Sequence, residues 1–144
     1  MKYHFKTHKE KDGYWAECLE LPGCITEGNT IQELNDNMQA ALNLYIEEPF
    51  ESNDISQLPD RSIKQNSNTV DVAVDPQIAF AFLVRYCRLQ KHLTQSQAAK
   101  LLGFDNLYSY QRLESRKCNP SLKTLTKLIK VFPDFSMDLV LKTA

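Results

Sequence analysis

The chain has 144 residues, 42% hydrophobic and 24% charged, with a formal charge of -1, enough for one domain or two small ones. No run of about 18 apolar residues occurs and no signal-peptide pattern opens the chain, so no membrane span and a cytoplasmic location are expected. Cys18, Cys24, Cys87 and Cys118 form no Cys-x-x-Cys pair, and His4, His8 and His92 lie far from a second ligand pair; no metal or cofactor is expected, and the thiols read as buried or incidental.

Residues 2 to 8 alternate, with Tyr3, Phe5 and Thr7 on one side and charged or histidine residues on the other, as in a half-buried strand. Asp12-Gly13 signals a turn, and Tyr14 to Leu19 alternates again, giving an antiparallel hairpin closed by a loop of several residues. Leu21-Pro22-Gly23 breaks that strand, and Cys24 to Glu27 reads as a third. Thr30 with Glu33 forms a capping box, and Ile31, Leu34, Met38, Ala41, Leu42 and Tyr45 share a helical face that should pack on the sheet. Pro49 ends this helix at or before Glu48. Residues 50 to 69, rich in Ser, Asn, Asp and Gln, read as a mobile loop, and Val70, Val72 and Val74 as a fourth strand returning to the sheet. A boundary at Asp75-Pro76 therefore separates residues 1–75 from 76–144.

The formal charge supports that division. Residues 76–144 carry eleven Lys and Arg against four acids, a net +7, while residues 1–75 carry six against fourteen, a net -8. An acidic module joined to a polyanion-binding one has this asymmetry, although plain solvation of both surfaces would also produce it.

In the basic half, Ile78 to Leu89 is an apolar helix supplying a core through Phe80, Phe82, Leu83, Tyr86 and Cys87. Thr94 and Gln97 form a second capping box, Ala98, Leu101 and Leu102 a stripe, and Gly103 a stop. A further helix follows with Leu107, Tyr110 and Leu113 inward and polar side chains outward. Pro120 then starts a helix with Leu122, Leu125, Leu128, Ile129 and Phe132 on one face, and Ser136 to Leu141 makes a last one. Leu93-Thr94-Gln95, Ala98-Ala99, Leu102-Gly103, Leu113-Glu114 and Pro120-Ser121-Leu122 resemble the helix-turn-helix of the Cro and phage-repressor family. The resemblance implies a recognition helix in the DNA major groove; ordinary helical hairpins give a similar pattern. Thr94 and Gln95 are assigned to phosphate positioning at a helix N-terminus. Asn106, Tyr108, Ser109, Gln111 and Arg112 are candidates for base edges, where Arg suits guanine and Asn or Gln adenine. For Arg112, pairing with Glu114 or a phosphate is the alternative. Arg116, Lys117 and Lys123 are assigned to phosphates. Specific binding by so small a domain calls for a homodimer on half-sites about 34 Å apart, with Phe135, Met137, Leu139 and Val140 its expected surface.

In the acidic half, Tyr14-Trp15-Ala16-Glu17, Leu21-Pro22-Gly23-Cys24, Thr26, Gly28 and Thr30 resemble the HicB antitoxin family. The resemblance implies an α+β fold, a small antiparallel sheet with one packed helix of partial RNase H-like type, followed by an all-α helix-turn-helix bundle found in some members. It also implies that the first module blocks a small basic HicA-like ribonuclease toxin while the second binds operator DNA of its own promoter. A -8 module complements a cationic toxin, and Trp15, Glu17, Glu20 and Glu27 are candidate contacts, with packing under the helix the favoured alternative for Trp15. No enzymatic activity is expected, since RNase H-like hydrolysis needs clustered carboxylates for two metal ions and Lys2 to His8 holds none. The other reading is a stand-alone repressor whose N-terminal domain senses a ligand or dimerises.

Overall fold

The computed structural model describes residues 1–47 and 54–142. The fold is α+β, a four-stranded antiparallel sheet with several helices. Its internal contacts divide it into two compact units, Met1–Asp75 together with Lys142, and Pro76–Leu141.

The first unit is built on β1 (Lys2–Glu10), β2 (Gly13–Cys18), β3 (Ile25–Gly28) and β4 (Thr69–Ala73), in the order β3-β2-β1-β4. Glu10 pairs with Gly13, so the hairpin turns on Lys11 and Asp12 alone. This is tighter than the expected loop of several residues, because charged Lys9 and Glu10 extend the ladder where both faces meet water. Thr30 caps α1 (Ile31–Ile46), its hydroxyl accepting from the Glu33 amide at 3.1 Å, while the Glu33 carboxylate accepts from the Asn29 amide at 2.8 Å. Leu34, Met38, Leu42 and Ile46 are the buried stripe, and Ile31 at the first turn is exposed instead. The helix stops before Glu48 and Pro49, which lie outside the described residues.

Gly28 fixes which face of the sheet α1 covers. A Cβ there would fall 2.6 Å from the Leu34 amide nitrogen, so only glycine lets the helix backbone lie this close. Gly28 pairs with Tyr14, and alternation places Ala16, Cys18, Phe5 and Tyr3 on the same covered face. Trp15, Glu17, Glu27, His4, Lys6 and His8 fall on the opposite face. Of the expected 50 to 69 loop, residues 50–53 lie outside the described residues, 54–68 form no regular element, and Thr69 already belongs to β4. Gln57 ties this segment to the sheet unit, its carbonyl accepting from the Tyr3 hydroxyl at 2.8 Å and its amide donating to the Glu20 carbonyl at 2.6 Å.

The second unit is helical. Pro76 opens α2 (Pro76–Gln90), whose residues from Ile78 to Arg85, with Cys87 and Arg88, are buried, so it is the central helix. Around it lie α3 (Gln95–Leu101), α4 (Leu107–Gln111) with a 3-10 turn at Arg112–Glu114, α5 (Leu122–Val131) and α6 (Met137–Leu141). Gly103 has φ +74°, the left-handed conformation that ends α3. Leu107, expected to point inward, is 39% exposed at the first turn of α4. Ser121, and not Pro120, caps α5, and Ser136 precedes α6 with its hydroxyl accepting from the Leu139 amide. The α5 stripe is narrower than expected: Leu128 and Phe132 are buried while Leu122 and Ile129 are exposed. Phe135 and Val140, expected at a dimer surface, are core residues, Phe135 packing edge-on to Phe80 with ring centroids 5.4 Å apart. Among the described residues, no helix is long and apolar enough to cross a membrane.

Candidate functional sites

The uncovered face of the sheet carries a row of three side chains in register, His8 on β1, Trp15 on β2 and Glu27 on β3. His8 and Trp15 are stacked, ring centroids 3.9 Å apart and 13° from parallel. The expected packing of Trp15 under the helix is therefore overturned, because the pleat turns it to the side away from α1. Glu17 is half-buried, its carboxylate 3.3 Å from His8 Nε2, and Glu27 is exposed. Glu20 is not a surface contact residue: it is 3% exposed. Its carboxylate accepts from the His4 amide at 3.0 Å, meets His4 Nδ1 at 2.5 Å and lies 3.6 Å from Cys18 Sγ. Asp71 Oδ1 stands 3.7 Å from the other imidazole nitrogen.

Beside Trp15 the surface opens into a groove of about 850 Å³ along β3. Glu10, Asp12, Glu27 and Glu33 line it, with Tyr14, Trp15 and Ile25 as its apolar surface. Glu10 belongs to β1, which runs two residues past the expected His8, so this strand does hold one carboxylate. Among the described residues, no three His, Cys, Asp or Glu side chains converge as a metal site would require.

In the helical unit the decisive residue is Glu114. It is 7% exposed and accepts from Arg88 Nε at 2.6 Å, Arg88 Nη2 at 3.3 Å, the Tyr110 hydroxyl at 2.8 Å and Gln95 Nε2 at 2.7 Å. One carboxylate thus ties α2, α3 and α4 together, and Arg88 also donates to the Leu93 carbonyl at 2.9 Å. Burial alone would lower the Arg88 pKa, but the hydrogen bonds and charge of Glu114 outweigh it and leave the guanidinium raised. Burial, and then the neighbouring Glu114 charge, push the Tyr110 phenol up, so it stays a donor.

This network claims two of the expected DNA contacts. Gln95 bonds Glu114, and its carbonyl oxygen accepts from Gln111 Nε2 at 3.0 Å. The two glutamines, assigned separately to phosphate and base, are joined side chain to side chain. Thr94 is occupied by its capping box with Gln97, both reciprocal bonds being present. Asn106 is the cap of α4, its Oδ1 accepting from the Ser109 amide at 2.8 Å, so it precedes the helix. Tyr108 is 72% exposed and Ser109 half-buried. Arg112 lies past the end of α4, in the 3-10 turn, with Nε 3.5 Å from the Lys117 carbonyl; Glu114 is engaged by Arg88 instead. Arg116, Lys117 and Lys123 are exposed. Arg88 was missed by sequence reading, although a charge within the apolar run of α2 was a signal for it; Glu20 was singled out, but as a surface contact and not as the buried partner of His4. Lys127, also missed, lies over the Gly103 turn, its Nζ 3.5 Å from where a Cβ would stand.

No family model matches the chain. Over 57 residues it is 39% identical to a UPF0150 protein of Synechocystis sp., a match covering 39% of this chain and 76% of that protein. The chain belongs to the UPF0150 family. Two archaeal UPF0150 proteins agree: one from Archaeoglobus fulgidus is 35% identical and one from Thermoplasma acidophilum 42% identical. Each matches over 48 residues, 33% of this chain and 70% of the relative. UPF0150 proteins are widely known as HicB-like. Membership rests on little more than a third of this chain's length.

Proposed function

We propose that this UPF0150 protein is the antitoxin of a HicAB-like type II system, which binds and blocks a small basic ribonuclease toxin and represses its own operon. Family membership carries the reading, and the opposite charges of the two units support it. In this reading the sheet unit, a truncated RNase H-like module, acts by occlusion and not by catalysis. Glu17 and Glu27 present carboxylates beside Trp15, and the acidic groove steers a cationic partner and competes with RNA for its surface.

The helical unit then acts as a helix-turn-helix, with α4 as recognition helix. Tyr108, Ser109 and Arg112 meet the groove, Arg116, Lys117 and Lys123 the phosphates, and the Gln95–Gln111 pair reaches DNA as a preformed unit. A homodimer completes the operator contact. Affinity purification of the full chain from its host, with mass spectrometry of stoichiometric partners, tests the reading. A small basic protein that stops growth when expressed alone is expected; promoter DNA without such a partner would refute the antitoxin role. That second result would favour a stand-alone repressor with a ligand-sensing or dimerising N-terminal domain.

A further inference from the structure

We propose that the outer edge of β3 receives an extended, lysine- or arginine-bearing segment of a partner protein as a fifth strand; the source of that segment, the basic toxin, rests on the antitoxin reading. The backbone supports this first. The Cys18 amide donates to the Cys24 carbonyl at 2.9 Å, and Ala16 and Tyr14 pair with Thr26 and Gly28. Residues 24, 26 and 28 therefore turn their backbone groups to β2, while Ile25 and Glu27 turn theirs outward. Of these outward groups the Glu27 carbonyl accepts from Asn37 Nδ2 at 2.8 Å. The Ile25 amide and carbonyl and the Glu27 amide have no hydrogen-bond partner among the described residues.

Edge strands are commonly protected by lysine, proline or a bulge. The β3 sequence Ile-Thr-Glu-Gly has none of these. The opposite edge differs, since the Thr69 amide donates to the Asn66 carbonyl at 3.1 Å and the Ala73 carbonyl accepts from Gln39 at 3.4 Å.

The chemistry around β3 selects the occupant. The groove along it is lined by four carboxylates and by no lysine or arginine, and Ile25, 56% exposed, adds apolar surface. An added strand with alternating cationic and β-branched residues would satisfy the free amides and carbonyl while placing cations against Glu10, Asp12 and Glu27. A second copy of this chain fits badly, because pairing two such edges brings two sets of carboxylates together. A free polyamine would neutralise the carboxylates but leave the backbone groups unpaired.

Trp15, the one tryptophan in the sequence, is a built-in reporter. The full chain, labelled with nitrogen-15, is titrated with an acetylated hexapeptide alternating valine and arginine, with the same peptide N-methylated at alternate backbone positions, and with spermidine. Expected are a Trp15 fluorescence change with the first peptide and at least tenfold slower hydrogen exchange at the Ile25 and Glu27 amides. N-methylation should weaken binding at least tenfold, as should Glu27→Lys. Ile25→Pro removes the outward amide while sparing the ladder to β2; Glu27→Lys serves if that variant does not fold. Equal affinity for both peptides, or an equal response to spermidine, would overturn strand addition. If a toxin co-purifies and both variants hold it as tightly as the wild type, the edge proposal fails and the antitoxin reading stands. If the peptide protects β3 but no toxin is found, the edge proposal stands and the antitoxin reading fails.

Discussion

Among the described residues each unit buries one glutamate, Glu20 in the sheet unit and Glu114 in the helical unit, and the two are satisfied in different ways. Glu20 is held by the backbone and ring of His4, 16 residues away on β1, and by the Cys18 thiol two residues before it. Glu114 gathers donors from three helices, including a guanidinium that stays charged throughout the accessible pH range. The sheet unit rests on an apolar layer of Tyr3, Phe5, Leu34, Met38 and Leu42, while His4, which pairs with Glu20, lies on the other face of the sheet. In the helical unit the polar cluster is itself the junction between elements. A buried ion pair adds little net stability over an apolar core, yet losing one partner is expensive, so the helical unit should be the more fragile to a single polar substitution.

The largest effect expected follows from that difference. Glu114→Ala leaves Arg88 buried without its carboxylate and frees Tyr110 and Gln95 together, and should cost about 3–5 kcal/mol. Denaturation followed by far-UV circular dichroism should show a weakened helical transition, while Trp15 fluorescence reports an unchanged sheet unit. Coincident shifts of both signals would mean that the two units unfold as one, and the contrast between them would fall.

The converse substitution is Gly28→Ala. The added methyl would meet Leu34 N at 2.6 Å and Leu34 Cα at 2.9 Å, backbone atoms that cannot swing aside. A cost of about 1–3 kcal/mol is expected, this time in the Trp15 transition. A variant as stable as the wild type would show that α1 does not need its close seat on β3.

Tyr110→Phe is milder, about 1–2 kcal/mol for the lost bond to a buried charge. Its sharper signature is in pH. The folded phenol is raised above its unfolded value near 10, so its contribution is whole below about pH 10 and declines as pH rises beyond it. The wild type should lose stability on that alkaline side more steeply than Tyr110→Phe. Equal slopes would place the alkaline sensitivity in the thiols, since burial pushes Cys18 up to about 12 and Cys87 up to about 11.

The elements themselves were legible because their signals are local. Alternation in β1 and β2, the caps Thr30 and Thr94, and the Gly103 stop depend only on near neighbours. What sequence reading missed depends on distant ones. Arg88 and Glu114 are 26 residues apart, and nothing local in either predicts the pair. Glu20 was read as a surface contact because its partner, His4, is contributed by a strand 16 residues away. Gln95 and Gln111 were assigned separately because nothing local joins two residues 16 apart; in the fold they are linked to each other and to Glu114. The packing of Trp15 under the helix fails for a simpler reason, that a large apolar side chain favours burial while the pleat alone decides its face.

The smallest expected effect separates local stability from positioning. Thr30→Ala and Thr94→Ala each remove one side-chain cap, worth about 1 kcal/mol, and the two should weaken their units by similar amounts. Their consequences should diverge. The long helix α1 has four buried side chains to hold its place. The seven-residue α3 starts at Gln95, so a frayed first turn moves the residue that links Gln111 to Glu114. Under the repressor reading, Thr94→Ala should therefore lose several-fold in operator affinity under conditions where the helical unit is still fully folded, and Thr30→Ala should lose none. Gel-shift titration at fixed salt measures this directly. Equal operator affinity in the two variants would show that the glutamine pair keeps its orientation without the cap, with Glu114 alone setting the angle between α3 and α4.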